Sequence, residues 1–269
     1  MRIALLANLD LHSNYGINLL RDALPGHEVA LFLSDRVGGD PPRVPELRAL
    51  GEIEQSLPSQ VVWPLAEAAG RPARFLPFSR IAAELGATCE TLPKPNAPES
   101  LERMRRFAPD LVISLRYGRI LREPFLEIPR LGVLNLHSGL LPGYRGVLAT
   151  LRALIHGDTI VGSTVHWIVD GTIDTGPILG IAKVPVQPGR SLLEHILSVY
   201  PPGVELLKET IRRLDRGETV PATPQDPTEG NYYGFPGPAE FAALAERGFS
   251  LYNPAEYVRF LRGWVPDGS

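Results

Sequence analysis

Residues 3–35 read IALLANLDLHSNYGINLLRDALPGHEVALFLSD, in which two short apolar runs flank a segment of helical periodicity. IALLAN (residues 3–8) and HEVALFLSD (residues 27–35) are typical of buried strands, and INLLRDAL (residues 17–24) has the spacing of an amphipathic helix. Two parallel strands need a crossover connection, which the helix provides. The stretch therefore predicts a right-handed β-α-β unit at the start of a parallel sheet.

The rest of the chain continues the alternation of strands and helices. LVISL (111–115) and LGVLNLH (131–137) are further buried strands, whereas STVHWIVD (163–170) and GPILGIAKVPV (176–186) form a predicted antiparallel pair. We therefore expect an α/β, Rossmann-like fold, with a mostly parallel twisted sheet and helices on both of its faces. Predicted helices fall within residues 45–57, 77–92, 99–110, 147–158, 191–200, 201–214, 238–248 and 254–264.

The chain is expected to divide unequally. Residues 1–217 form the predicted main domain, and residues 218–269 form a small C-terminal extension that caps it, because this segment is too short for an independent domain of usual size. Prolines cluster and periodicity is poor between Gly38 and Arg74, so this part is interpreted as an elaborated connection. Tyr257, Phe260, Leu261 and Trp264 make the tail apolar and a candidate homodimer interface.

Composition sets limits on function. The 269 residues are 44% hydrophobic and 21% charged, which is ordinary for a globular protein. A formal net charge of −3 provides no global basic field for nucleic acid or anionic membranes. Cys89 is the single cysteine, so no intrachain disulfide forms, and the first apolar run is too short for a membrane span. We expect a soluble, cytoplasmic protein with no membrane partner.

Two polar side chains close the strand LGVLNLH. Asn135 and His137 lie two residues apart in LNLHSGLLPGYRG (134–146), so they face the same way at the carboxyl end of a predicted parallel strand. Ligands of open α/β sheets bind in the crevice outside those strand ends. The turn VDGTIDTG (169–176) brings Asp170 and Asp174 between the next two strands, where a carboxylate is able to orient the imidazole.

These residues also carry a resemblance. Asn-Leu-His-Ser-Gly-Leu-Leu-Pro-Gly-Tyr-Arg-Gly resembles the Asn-x-His...Leu-Leu-Pro-x-Tyr-Arg-Gly signature of the folate-dependent formyltransferases, which include glycinamide ribonucleotide, methionyl-tRNA and sugar N-formyltransferases. Asp170-Gly-Thr-Ile-Asp174-Thr-Gly resembles their Asp-x-x-x-Asp-x-Gly loop, and LRYGRIL (115–121) resembles the loop that lines their pterin pocket. The three motifs follow in the family's order over roughly residues 100–190.

The resemblance implies an enzyme that moves a formyl group from 10-formyltetrahydrofolate to an amine, without a metal. Asn135 would then stabilise the oxygen that becomes negative, His137 would manage proton transfer, and Asp174 would orient His137 and hold a relay water. Residues 1–217 would be the formyltransferase catalytic domain. The residues expected to hold the pterin are Arg116, Tyr117, Gly118, Arg119, Ile120, Leu121, Asp170, Gly171, Thr172 and Ile173.

The amine acceptor is inferred from departures from the family. ANLDLHSNYG lacks the glycine-rich phosphate turn of the purine-pathway enzymes, which disfavours glycinamide ribonucleotide. Residues 201–269 hold seven Lys or Arg against ten Asp or Glu, which disfavours tRNA or another nucleic acid. We expect a small-molecule primary amine, with a nucleotide-linked amino sugar preferred. Tyr144 and Arg145 are candidates to contact an anionic acceptor, or to brace their own loop.

Other interpretations stay open. A hydrolase would use the same three residues to deliver the formyl group to water, although such enzymes carry an N-terminal regulatory domain that this sequence lacks. A catalytically idle folate-binding module predicts a degenerate triad, whereas the triad here is complete. His166 is interpreted as structural or exposed, and His12 as having no functional partner.

Overall fold

The computed structural model describes residues 1–34, 42–71, 73–226 and 228–266. Residues 38–41 and Pro72, which belong to the predicted connection, lie outside the described residues. The described part of that connection is helical: one helix leads through two π-helical segments, Glu52–Ser56 and Pro58–Val62, into another.

Alternating apolar runs form a seven-stranded sheet. Its strand order is β3-β2-β1-β4-β5-β7-β8, and a separate pair joins β6 to β9. The pairs among β1 to β5 are parallel, whereas β7 runs antiparallel to both β5 and β8. The strands are β1 (Arg2–Asn8), β2 (Glu28–Ser34), β3 (Thr88–Thr91), β4 (Leu111–Leu115), β5 (Gly132–His137), β6 (Tyr144–Gly146), β7 (Ile160–Ile168), β8 (Ile178–Pro185) and β9 (Asn231–Tyr233).

Helices cover both faces of the sheet, which confirms the predicted α/β fold with a mostly parallel sheet. Asp10 begins the first helix by accepting a hydrogen bond from the Ser13 amide at 2.7 Å, as an N-cap does. The helices are α1 (Leu11–Leu20), α2 (Pro45–Gly51), α3 (Trp63–Ala69), α4 (Phe78–Leu85), α5 (Pro98–Phe107), α6 (Glu123–Leu126), α7 (Ala149–His156), α8 (Leu192–Ser198), α9 (Tyr200–Asp215), α10 (Pro238–Glu246) and α11 (Pro254–Leu261). No helix of the described ranges is long and apolar enough to cross a membrane.

The sheet divides the apolar core into two layers. Leu134 and Leu136 of β5 pack into the larger layer, beneath α1 and α9, whereas Val133 packs into the smaller layer with Phe125 of α6. Alternation along the strand therefore places Asn135 and His137 on the side of Val133. The two polar side chains therefore leave the sheet on the same face.

The C-terminal segment packs into the main core. The indole Nε1 of Trp264 donates to Asn14 Oδ1 at 2.7 Å, and the Tyr257 hydroxyl donates to the Ile53 carbonyl at 2.6 Å. Trp264 is 0% exposed and Tyr257 is 6% exposed, so the expectation that these two side chains form a homodimer interface is wrong. Trp264 and Tyr257 instead make their contacts within their own chain. The boundary at residue 217 stays a prediction.

The loop before α10 contains a short strand that the sequence analysis did not predict. β9 pairs in parallel with β6, matching Tyr144 with Asn231 and Gly146 with Tyr233. Gly146 has a φ of +95°, and a Cβ there would lie 2.2 Å from the Tyr233 carbonyl oxygen. Glycine is therefore required where the two strands meet.

Replacing Trp264 with alanine tests whether the tail belongs to the core. We expect Trp264→Ala to lower the free energy of unfolding by about 3–5 kcal/mol, since it removes a fully buried aromatic side chain and one of the two donors to Asn14 Oδ1. Val265→Ala is the matched control, because Val265 is 52% exposed, and its effect should stay within about 0.5 kcal/mol. Equal denaturation midpoints for the two variants would mean that the tail does not stabilise the core.

Candidate active site

A cavity of about 760 Å³ opens at the carboxyl ends of the parallel strands. Its lining includes Asn135 and His137 from β5, Arg116 just after β4, and Asp174 from the turn between β7 and β8. A volume of this size accommodates a cofactor-sized ligand. The cavity is therefore the candidate active site.

Asp174 is fixed by the backbone around it. Its own φ is +57°, a left-handed conformation that turns the chain sharply between β7 and β8. The Gly146 amide donates to Asp174 Oδ2 at 2.9 Å, and the Gln225 side-chain amide donates to the Asp174 carbonyl at 3.0 Å. A Cβ on Gly176 would lie 1.8 Å from the Trp167 carbonyl oxygen, so the turn depends on this glycine.

His137 is held by two oxygen acceptors. Its Nε2 lies 2.7 Å from the Tyr144 carbonyl, and its Nδ1 lies 3.5 Å from Asp174 Oδ2. A carbonyl only accepts hydrogen bonds, so Nε2 carries a hydrogen. A protonated imidazolium would direct both of its N–H groups at these oxygens. The arrangement is therefore suited to hold positive charge on His137.

Asn135 is oriented by a second histidine. The Asn135 side-chain amide donates to His166 Nε2 over 3.1 Å and, less closely, to Asp174 Oδ1 over 3.4 Å. His166 Nδ1 lies 2.9 Å from the Trp167 carbonyl and so carries the hydrogen, which leaves Nε2 as the acceptor in the neutral ring. His166 is buried and lines the same cavity as Asn135, so the interpretation of His166 as exposed is wrong, whereas a structural role stays a prediction. The signal was available, since an alternating strand antiparallel to β5 places His166 opposite Asn135.

Asp174 is the charged centre of this arrangement. Burial by itself raises the pKa of its carboxyl, but His137, His166 and the Gly146 amide together lower that pKa to about 2. The carboxylate is therefore ionised at neutral pH. Its two oxygens reach different imidazoles, Oδ2 facing His137 and Oδ1 facing His166 at 3.4 Å.

All ten residues predicted to hold the pterin line the cavity, but they do not have equivalent surroundings. Ile120 is 48% exposed and Ile173 is 37% exposed, so both offer apolar surface to a ligand. Asn96, which the sequence analysis missed, braces this end by donating to the Ile120 carbonyl at 2.8 Å and accepting from the Arg122 amide at 2.9 Å. The full set is Arg116, Tyr117, Gly118, Arg119, Ile120, Leu121, Asp170, Gly171, Thr172 and Ile173.

Arg116 is turned away from the other nine. It has a φ of +58°, and its guanidinium makes ion pairs with Asp10 at 2.8 Å and with Glu54 at 2.5 Å. Those carboxylates belong to the segments after β1 and α2. Arg116 therefore lines the cavity at a different end from Ile120 and Ile173.

Tyr144 and Arg145 do not line the cavity that the described residues form. The Tyr144 hydroxyl donates to Asp158 Oδ2 at 2.6 Å, and its ring stacks on Tyr233. Burial and the Asp158 carboxylate raise the pKa of this phenol. The expectation that the two side chains contact the acceptor gains no support, and Tyr144 instead serves the site through its backbone carbonyl. Within the described ranges, no group of three or more His, Cys, Asp or Glu side chains is arranged to hold a metal.

Comparison with proteins of known structure shows the same fold. Glycinamide ribonucleotide transformylase 1 from Symbiobacterium toebii superposes with a TM-score of 0.58 over 84% of this chain and 94% of that one, at 22% identity. The N-formyltransferase from Helicobacter canadensis, solved with folinic acid and dTDP-3-aminofucose, gives 0.57 over 87% of this chain and 71% of that one, at 18% identity. At these identities the likeness concerns the fold.

Sequence comparison identifies the family. The methionyl-tRNA formyltransferase of Thermobifida fusca is 37% identical over 180 residues, which are 66% of this chain and 57% of that protein. The chain thus spans less than two thirds of the length of this relative. The family model described as Formyl transferase matches residues 65–209, more than half of the chain. The protein therefore belongs to the formyl transferase family.

Proposed function

We propose that this protein transfers the formyl group of 10-formyltetrahydrofolate to a primary amine of a small molecule. The observation that carries the proposal is the contact of Asp174 with both Asn135 and His137 on the wall of one large cavity. Their amide, imidazole and carboxylate match the roles that amine attack on a formyl carbon requires.

The amide of Asn135 is assigned to the formyl oxygen. When the amine attacks, this oxygen becomes negative and needs a hydrogen-bond donor in the water-excluded site. Of the two contacts that the Asn135 amide makes, the bond to Asp174 at 3.4 Å is long and the weaker one to give up. His166 keeps the amide oriented while that donor turns to the substrate. His166 is thus a positioning residue.

His137 and Asp174 are assigned to charge and proton management. The amine loses a proton as it forms the new C–N bond, and the departing folate nitrogen gains one. Tyr144 and Asp174 hold the imidazole where it is able to carry positive charge through that exchange. The ionised Asp174 balances this charge without itself being a useful base, since its pKa is about 2.

The cavity end that carries Ile120 and Ile173 is assigned to the formyl donor. The exposed faces of both side chains provide an apolar wall for a flat pterin ring. Gly118 and Gly171 have no side chains that would occupy the cavity. Arg119 and Arg122 add positive charge suited to the carboxylates of a folate tail. 10-Formyltetrahydrofolate would supply the formyl carbon at this end, and the residues around it would hold and orient the pterin ring.

Two classes of acceptor follow from different observations. An N-formyltransferase of the same fold was solved with dTDP-3-aminofucose, an amino sugar on a nucleotide. Methionyl-tRNA is favoured by the name of the 37% identical relative. Residues 201–269 carry ten acidic against seven basic side chains, which supports the small-molecule class. We place the reaction in the cytoplasm and the catalytic domain within residues 1–217.

The assay of first importance mixes the protein with 10-formyltetrahydrofolate and records tetrahydrofolate release, without acceptor and then with amino sugars, nucleotide-linked amino sugars, amino acids and methionyl-tRNA. Release that requires an amine is expected, and His137→Ala should lower kcat about 100-fold or more. His27→Gln is the control, since His27 lies outside the cavity. Equal release without any amine would instead make the protein a hydrolase.

A double-mutant cycle tests the role of His166. We expect His166→Ala to lower kcat about tenfold, while the KM for the formyl donor stays within about twofold, because the contact that orients Asn135 is lost. The same change in an Asn135→Ala background should have little further effect. Full additivity of the two losses would show that His166 does not act through Asn135.

Asp174 gives the folded protein a defined sensitivity to acid. Its pKa is lowered from 3.8 to about 2, so the stability that it contributes is present above the ordinary value and is lost as the pH falls through the folded value. Urea titrations from about pH 5 down to about pH 2 should show a steeper fall in unfolding free energy for the wild type than for Asp174→Asn. Parallel curves would contradict an ionised, charge-paired Asp174.

A further inference from the structure

A buried polar cluster lies at the end of the cavity that the catalytic roles do not use. It consists of Asp10, His12, Glu54 and Arg116, which we call the Glu54 cluster. Asp10 and His12 are 0% exposed and Glu54 is 5% exposed. Glu54 and Arg116 line the same cavity as Asn135 and His137.

The two ends of the cavity lie on opposite faces of the sheet. Tyr117 and Leu121, from the loop assigned to the formyl donor, pack into the smaller core layer. Leu50 and Ile53, which precede Glu54 in the chain, pack into the larger layer, to which Tyr200 also belongs. Tyr200 lines the cavity together with Ser138, the neighbour of His137. The reacting centre therefore lies between the donor end and the Glu54 cluster.

One oxygen of Glu54 lacks a partner. Oε2 accepts from Arg116 Nη2 at 2.5 Å, whereas Oε1 has no hydrogen-bond partner among the described residues. His12 Nε2 lies 3.9 Å from Oε1, which is beyond hydrogen-bond distance. A buried carboxylate oxygen without a donor is costly, so a donor arriving from a ligand would be favourable.

His12 does not neutralise Glu54. Burial and the nearby Arg116 lower the pKa of His12 to about 3, against the opposing effect of Asp10, so the ring is neutral at pH 7. Burial raises the pKa of Glu54 to about 7, with Arg116 opposing and Asp10 reinforcing the shift. An approaching cation therefore favours the ionised form of Glu54, whereas an approaching anion disfavours it.

The balance of charge points the same way. Arg116 is the single cation of the cluster, and it already serves both Asp10 and Glu54. A phosphate or carboxylate at this end would face two carboxylates and no uncommitted positive group of the cluster. An ammonium, or a hydroxyl that donates, would instead be favoured beside Glu54, whose side chain lines the cavity.

We propose that Glu54 is the residue that selects the acceptor, by receiving an ammonium or hydroxyl donor and rejecting amines that carry an anionic group next to the nitrogen. The proposal rests on the formyl transfer proposed above and narrows its acceptor to one class. That class is a primary amine with neutral, hydrogen-bond-donating neighbours, as in an amino sugar ring. Any phosphate of the acceptor must then lie outside this end of the cavity.

Glu54→Gln tests the proposal, because it keeps the shape of the side chain and removes its charge. For the amine that proves active in the acceptor panel, KM should rise about tenfold to a hundredfold. The Kd of 5-formyltetrahydrofolate, measured by calorimetry, should stay unchanged, because the donor end does not include Glu54. Glu52→Gln is the matched control, since Glu52 lies on the same helical segment and is exposed.

A second measurement on the wild type does not depend on the variant folding. Ethanolamine and phosphoethanolamine are compared as competitive inhibitors against the acceptor. Ethanolamine should inhibit the wild type more strongly than phosphoethanolamine does. Equal or stronger inhibition by phosphoethanolamine, or no inhibition by ethanolamine, would overturn the proposal.

The outcomes separate this inference from the proposed function. A wild type that transfers formyl to no amine refutes the proposed function itself. A wild type that transfers formyl normally, beside a folded Glu54→Gln with unchanged acceptor KM, refutes only the role of Glu54. An equal rise in the Kd of the variant for 5-formyltetrahydrofolate would also refute the role of Glu54 in acceptor selection, since Glu54 would then serve the formyl donor.

Discussion

Asp174 carries a negative charge inside the protein, and the neighbouring structure is arranged to keep it there. Its side chain is one tenth exposed, and its oxygens face the Gly146 amide and two imidazoles. Each of these contacts comes from a different segment, so the carboxylate joins β6 to β5 and β7. Without the charge, the His137 ring would lose the group placed to balance a positive charge on it.

The fold turns this local constraint into a two-sided site. The cavity opens at the carboxyl edge of the sheet, where a ligand is able to reach both faces at once. One face presents Ile120 and Ile173 as apolar surface, and the other presents the Glu54 cluster as buried charge. A reaction between two substrates needs such separation, because each partner must approach the same carbon from its own side.

Much of this architecture was predictable from sequence, and the gaps have physical causes. Short apolar runs identified the strands of the sheet, and the spacing of Asn135, His137 and Asp174 brought them to one edge. His166 was interpreted as structural or exposed because it was considered apart from the neighbouring strand, although the antiparallel pairing places it opposite Asn135. The burial of Glu54 was not predictable from sequence, because it depends on a π-helical segment that packs over the cavity. Trp264 looked like an interface because its partners, Asn14 and Phe75, lie far away in sequence.

We expect the formyl carbon to meet the amine beside Asn135 and His137, and a crystal structure with 5-formyltetrahydrofolate and an amine acceptor would show whether it does. The pterin should lie between residues 118–121 and 170–173, with the formyl oxygen about 3 Å from the Asn135 amide. The acceptor should lie on the side of Glu54. A pterin bound beside Glu54, or a formyl group out of reach of Asn135, would contradict this expectation.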